Sequence, residues 1–337
     1  VSIMQECSES SVKTFTIGFE DTEFDEAKYA KKVASHLKTE HTELYLNSQN
    51  AIDVIPKLPH IYDEPFADSS QIPTFLISEL TRGSVKVSLS GDGGDELFGG
   101  YNRYFWSSNI FKLVKYFPFP IRMQLSFLIK IFPPAYINKI VALLMFFLPP
   151  KFQIKLAGDK IHKIAEILSS KNHDEIYENL VSLWKNSHNI VYNSSYLPQF
   201  QVNKTKFPHL SDFSNKMMYV DFHTYLPDDI LTKVDRAAMS VSLETRVPML
   251  DTDVIEFAWQ LPTSFKIRNG EGKWILKEVL KKYLPREMIN RPKMGFGVPL
   301  GSWLRGSLRD WAENLISEDK LKSQGYLDHV PIRRKWD

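Results

Sequence analysis

The chain of 337 residues predicts an α/β fold built on a parallel sheet. Three observations carry that prediction: apolar, β-branched runs of strand length, amphipathic runs of helical period between them, and a glycine-dense loop at the end of the third apolar run. The first run, Val12 to Phe19 (VKTFTIGF), has the composition of a buried strand. In FDEAKYAKKVASHL, which follows, Asp25 stands where a cap is needed, and Ala27, Ala30, Val33, Ala34 and Leu37 recur at helical spacing. A second strand is expected from His41 to Leu46, helical segments around Ala51 to Leu58 and Ile72 to Leu80, and a third strand from Val85 to Leu89. Strands joined through helices run parallel, in a sheet with covered faces.

From Tyr104 to about Asn215 the pattern changes: aromatic and aliphatic residues crowd FKLVKYFPFPIRMQLSFLIKIFPP, and prolines break it into short pieces. This predicts three parts: a nucleotide-binding α/β part (1–104), a helical insertion (105–215) and a mainly helical second lobe (216–337). The aromatics at Phe105 to Phe119 and Phe127 to Phe147 are expected to pack the insertion's own core. Its most apolar stretch, Ile140 to Leu148, is too short to span a hydrocarbon layer. In the last part, helices are expected around Met217 to Leu226, Leu231 to Ser240, Thr252 to Gln260 and Lys273 to Tyr283, with Glu244 and Arg246 as an ion pair beneath the site. The closing PIRRKWD shows no evident helix, so truncation is expected there. At the other end Val1, Ile3, Met4 and Cys7 stand at helical spacing with no capping residue ahead of them, which suggests a chain cut within a helix and a buried Cys7 thiol.

A formal net charge of +2 leaves no single-sign field, which argues against nucleic acid as a partner and for a small molecule. The single cysteine rules out an internal disulfide and suits a reducing, cytoplasmic setting.

The strand VKVSL runs into Ser90-Gly91-Asp92-Gly93-Gly94-Asp95-Glu96-Leu97-Phe98-Gly99-Gly100-Tyr101, which packs five glycines and three carboxylates into one loop. Glycines after a parallel strand let backbone N–H groups face an anionic ligand. Carboxylates repel bare phosphate, so their natural task there is to hold Mg²⁺ that in turn holds phosphate oxygens. The loop lacks the Lys-Ser/Thr of a Walker motif and the spacing of a dinucleotide or EF-hand loop.

Four blocks set the loop in context: DEPFADSSQIPTFLISELTRGSVKVSLSGDGGDELFGGYNRY (Asp63 to Tyr104), LTKVDRAAMSVSLETRVPMLD (Leu231 to Asp251), GKWILK (Gly272 to Lys277) and RPKMGFGVP (Arg291 to Pro299). Together and in this order they resemble the asparagine synthetase family. The resemblance implies a pyrophosphate-loop ATPase fold of the adenine nucleotide α-hydrolase type. Its SGGxDS signature lies on a first strand upstream of these residues, and a glutaminase domain lies further upstream still. The implied reaction joins aspartate to ATP as β-aspartyl-AMP and lets glutamine-derived ammonia displace AMP.

The resemblance also implies roles. Ser90 and Gly91 contact ATP, and Ile17 packs by the adenine, although plain core packing explains Ile17 equally well. Asp95 matches the carboxylate that helps hold Mg²⁺, against the simpler role of capping its loop. Asp92 stands where many relatives carry Glu and related β-lactam-forming cyclases carry Tyr; a carboxylate there suits an ammonia nucleophile and its proton. Lys273 aligns with the lysine that stabilises both transition states. Lys233, Asp235 and Arg236 could reach substrate or phosphate, or form a structural ion-pair network. The expected partners are ATP, aspartate or a related carboxylate, ammonia from glutamine and the N-terminal glutaminase domain, with a homodimer left open. Two other readings stand beside this one: an amidotransferase of surface-polysaccharide synthesis acting on another carboxylate, and a catalytically silent binding module. The isolated 337 residues are expected to show little turnover.

Overall fold

The computed structural model describes residues 1–19, 25–106, 116–145, 157–182, 184, 190–194, 210, 212–290 and 297–337. Strand β1 (Lys13–Phe19) pairs in parallel with β2 (Glu40–Leu46), in register from Lys13 opposite Glu40 to Phe19 opposite Leu46. Helix α1 (Ser2–Glu6) precedes β1, and α2 (Ala27–Leu37) makes the crossover. Asp25 does cap α2, its carboxylate accepting from the Ala27 N–H at 3.0 Å, and Ala27 and Ala34 turn into the core. After α3 (Ser48–Val54) and α4 (Leu58–Tyr62), α5 (Gln71–Arg82) lies against β1 and against the helix Thr232–Ser240. The main core gathers Ile17, Phe19, Leu46, Val54, Ile72 and Phe75, closed from the C-terminal side by Trp303 and Leu308. Each such side chain contributes about 1.5–3 kcal/mol by leaving water.

Parallel pairing holds, but the strands form two two-stranded sheets among the described residues. Strand β3 is only Val87–Leu89 and pairs with β4 (Glu244–Arg246), which the sequence reading took for a loop. Val87 and Leu89 are 44 % and 53 % exposed, so the expected covered face is open here. Glu244 and Arg246 do pair, Nε to Oε1 at 2.8 Å, but side by side on the exposed edge of β4 rather than beneath a site. Three further expectations are corrected. Cys7 is exposed, because α1 is a single short turn with Val1, Ile3 and Met4 also open to solvent. The segment PIRRKWD, expected to lack a helix, lies in one, His329–Trp336, capped by Asp328; Pro331 lies in its first turn, where a missing N–H costs nothing. Among the described residues the insertion's aromatics do not pack a core of their own: Tyr116, Phe117, Phe127 and Phe132 are exposed, while Phe111, Phe146 and Phe147 lie outside the described residues.

Lys266 ends the short helix Thr263–Lys266 and is 1 % exposed, its ammonium 4.6 Å from the centre of the Trp259 ring. Burial pulls its pKa down to about 8, partly opposed by Asp212. Below pH 8 both folded and unfolded chains carry the proton and the penalty for burying the charge is fully present. Between about pH 8 and 10.5 the fold releases the proton while the unfolded chain keeps it, so stability rises with pH. Denaturant midpoints across that window should climb for the native chain and stay flatter for Lys266→Met.

Candidate active site

The glycine-dense loop is fixed at both ends by backbone. Where β3 ends, the Ser90 N–H donates to the Arg246 carbonyl at 2.9 Å, so β4 sets where the loop begins. The Ser90 hydroxyl is buried and has no partner among the described residues. Gly91 is exposed with open space where a Cβ would stand, and Asp92 follows in a turn, part-buried. At Gly93, φ is +76° and a Cβ would meet the Leu250 side chain at 2.5 Å, so any other residue would be strained there. Helix α6 (Gly94–Phe98) starts there with Asp95 in its first turn, and Leu97 and Phe98 are buried against Met249, Leu250, Ile275 and Leu276.

The far end of α6 meets a second motif. Lys273 has the left-handed φ of +57°, unusual for a lysine, and its N–H donates to the Phe98 carbonyl at 2.9 Å. A Cβ on Gly272 would stand 2.0 Å from the Gly99 carbonyl oxygen, so the two backbones touch. This docking brings the Lys273 ammonium 3.0 Å from the Asp95 carboxylate. Both side chains stay part-exposed and line a cleft of about 1160 Å³, bordered by Thr14 and Thr16 of β1, Gly100 and Met249. Gly100 sits beneath the pair: a Cβ there would fall 1.9 Å from Asp95 Oδ1 and 2.4 Å from Lys273 Cε. Both clashing groups are side chains that can swing aside. Gly100→Ala should therefore keep its melting temperature yet lose at least about tenfold in turnover, since ångström misplacement alone can cost about a hundredfold.

A buried network supports α6 from behind. Glu96, 1 % exposed, accepts from the Tyr101 hydroxyl at 2.8 Å. Burial pushes the Glu96 carboxyl up, against the pull of that hydrogen bond. The Arg103 guanidinium lies over the Tyr101 ring at 4.2 Å and donates through Nε to Asp221 at 2.9 Å. Asp221 also accepts from the hydroxyls of Tyr104 at 2.5 Å and Tyr177 at 2.7 Å. The network thus ties the insertion and the helix Phe213–His223 to the loop. Its signal stood in ELFGGYNRY, beside the loop, but nothing in the sequence names Asp221 as the acceptor.

The remaining candidates fall elsewhere. Ile17 is buried in the main core, two residues inside the end of β1, so packing is the role on view. Lys233 is buried, its ammonium held by Asp68 at 2.6 Å and the Ser70 hydroxyl at 2.8 Å. Burial raises the Asp68 carboxyl, but Lys233 and Ser70 outweigh it and hold the pKa below the usual range. Asp235 and Arg236, both more than half exposed, pair with each other. Of RPKMGFGVP, residues 291–296 lie outside the described residues.

With this geometry established, comparison with known proteins gives one answer. The family model described as asparagine synthase matches residues 1–337. The chain belongs to the asparagine synthase family. It is 33 % identical over 322 residues to asparagine synthetase (glutamine-hydrolyzing) 1 of Bacillus subtilis, covering 95 % of this chain and 48 % of that protein. It is 31 % identical over 300 residues to a putative asparagine synthetase of Mycobacterium bovis, covering 89 % of this chain and 43 % of that one. Over 102 residues, 30 % of this chain and 20 % of the relative, identity to a putative asparagine synthetase 2 of Methanocaldococcus jannaschii reaches 47 %. The chain spans about half the length or less of these relatives.

As an asparagine synthase-family chain, it brings Asp95 of the glycine-dense loop and Lys273 of GKWILK into one ion pair. The contact between Gly99 and Gly272 that makes this possible was not anticipated, because the two glycines belong to motifs far apart in sequence. No group of three or more metal-binding side chains occurs among the described residues. The Asp95 carboxylate, part-exposed at the cleft, is the kind of hard oxygen donor that Mg²⁺ takes together with substrate phosphates.

Proposed function

We propose that this chain is the synthetase part of a glutamine-dependent enzyme that converts aspartate to asparagine, forming AMP and pyrophosphate on a pyrophosphate-loop ATPase fold. The observation that carries the reading is the Lys273–Asp95 pair, 3.0 Å apart at a cleft of about 1160 Å³, with room for a nucleotide and a small acid. A β-carboxylate oxygen of aspartate attacks the α-phosphorus of ATP and pyrophosphate leaves. Ammonia then attacks the acyl carbon, and AMP departs with that carboxylate oxygen. Negative charge builds first around phosphorus and then on the acyl oxygen, and the Lys273 ammonium, held in place by its fixed backbone, faces both. Ser90, whose hydroxyl has no partner among the described residues, and Gly91, open to solvent, are the proposed nucleotide contacts, with Ile17 backing the adenine from within the core. Asp92 takes the proton lost as ammonia becomes an amide. Asp95 would hold Mg²⁺, which shields the charge of the leaving pyrophosphate. Lys233 braces the wall through Asp68, leaving Asp235 and Arg236 as the outer substrate candidates.

The glutaminase domain that supplies ammonia belongs to the full-length protein, in a reducing cytoplasmic setting. A second reading, amidation of a sugar acid, is favoured by Asp92, whose carboxylate is one methylene shorter than the Glu common at that position. Pyrophosphate release by the full-length protein, measured with ammonia and a panel of carboxylates, decides between them. Aspartate should give the highest kcat/KM. Release driven by a uronic acid and not by aspartate would overturn the first reading.

A further inference from the structure

Helices Phe119–Ile131 and Pro134–Met145 are built inside out for a protein surrounded by water. In the first, the buried positions are polar: Arg122 donates to the Ser170 carbonyl at 3.2 Å and the Ser126 hydroxyl to the Ala165 carbonyl at 2.6 Å. The second is pinned in the same way, Asn138 accepting from the Gly158 N–H at 2.7 Å. Both helices pack on the helix Ala157–Leu168. Outward they present apolar side chains: Leu125, Phe127 (68 % exposed), Leu128 (55 %) and Ile131 on one, and Ile140 and Leu143 (71 %) on the other. A helix in water shows the reverse distribution, and so many exposed apolar side chains on two adjacent helices mark an interaction surface.

Charge identifies the partner. Between Glu96 and Asp159 the sequence holds eight basic residues and no acidic one, in a chain whose totals of 42 basic and 40 acidic residues nearly balance. Lys130 and Lys139, both exposed, stand among the apolar side chains. A second copy docked face to face would set Lys130 and Lys139 against the same two lysines. Spanning is also excluded for these helices taken singly: 13 and 12 residues reach about 20 and 18 Å, short of the roughly 30 Å of a hydrocarbon core. They meet at a bend of 85°, and two short helices so bent can both lie in the plane of a bilayer surface.

We propose that this pair of helices docks the protein on the surface of an anionic lipid bilayer, apolar residues sunk at the headgroup boundary and lysines against the anionic headgroups. The inference does not depend on the amide-forming reaction. The test is flotation of the full-length protein with vesicles of phosphatidylcholine alone and of phosphatidylcholine doped with phosphatidylglycerol. It should float with the doped vesicles, bind the neutral ones at least tenfold more weakly, and be released as salt is raised. F127S together with L128S should weaken binding tenfold or more, and K130E with K139E should abolish the preference for phosphatidylglycerol. All four side chains are exposed, so circular dichroism and melting should match the native protein. Failure to float with either vesicle, or flotation indifferent to these substitutions, would overturn the proposal. So would finding that the native protein is a dimer that does not float and that F127S with L128S makes monomeric, which would assign the face to a second copy.

Discussion

Lys273→Ala in the full-length protein should lower amide synthesis by about a hundredfold to a thousandfold, the range for removing one preorganised charge-stabilising donor, and should leave glutamine hydrolysis untouched. Asp95→Ala should do the same from the other side of the pair. The reasoning rests on where these residues sit. Their ion pair is part-exposed, with the side chains 33 % and 24 % open, so it adds little to stability. The left-handed backbone of Lys273 and its hydrogen bond to Phe98 do not depend on the side chain. Melting temperatures should therefore stay near native while synthesis is lost. The split between the two half-reactions, measured as asparagine formed against glutamate released, separates this from unfolding. Synthesis within a few fold of native in Lys273→Ala would remove the lysine from the mechanism.

The largest effect on stability is expected at Asp221. Its carboxylate is fully buried and is shared by Arg103, Tyr104 and Tyr177. Asp221→Ala would remove the carboxylate that the Arg103 guanidinium and the Tyr104 and Tyr177 hydroxyls share, and breaking a buried pair in this way costs about 3–5 kcal/mol. The network ends on Glu96, next to Asp95, so the damage should spread: the loop loosens together with the insertion. Asp221→Asn keeps an acceptor and the packing, and should fall between the two. Denaturant titration of all three proteins checks the order, and an Asp221→Ala midpoint equal to native would contradict it.

Local signals made most of the fold readable. The period of α2, the β-branched run of β1 and the Asp25 cap each depend on neighbours in sequence, and each appears within a residue or two of its expected place. What escaped depends on partners far along the chain. Strand β4 is three residues of ordinary composition and exists because it pairs with β3, about 157 positions earlier, as the bridging pair Ser88 and Thr245 shows. The exposed aromatics of the insertion were misassigned because apolar composition predicts burial without saying against what. At the site, the loop from Ser90 and the lysine at 273 were visible as motifs. Their meeting was not, because it is made by Gly99 against Gly272, a backbone contact that leaves no chemical trace in a sequence. For Lys233 the sequence left phosphate contact and an ion-pair network both open, and the pair with Asp68 shows the second.

The central claim is an acyl adenylate formed beside Lys273 and Asp95. Its most direct test is isotope transfer: the full-length protein, supplied with ATP, ammonia and aspartate labelled with ¹⁸O in the β-carboxylate, is analysed by mass spectrometry of its nucleotide product. One ¹⁸O atom should appear in AMP, carried across when ammonia displaces it. Asparagine formed alongside unlabelled AMP, or alongside ADP and labelled phosphate, would contradict the account.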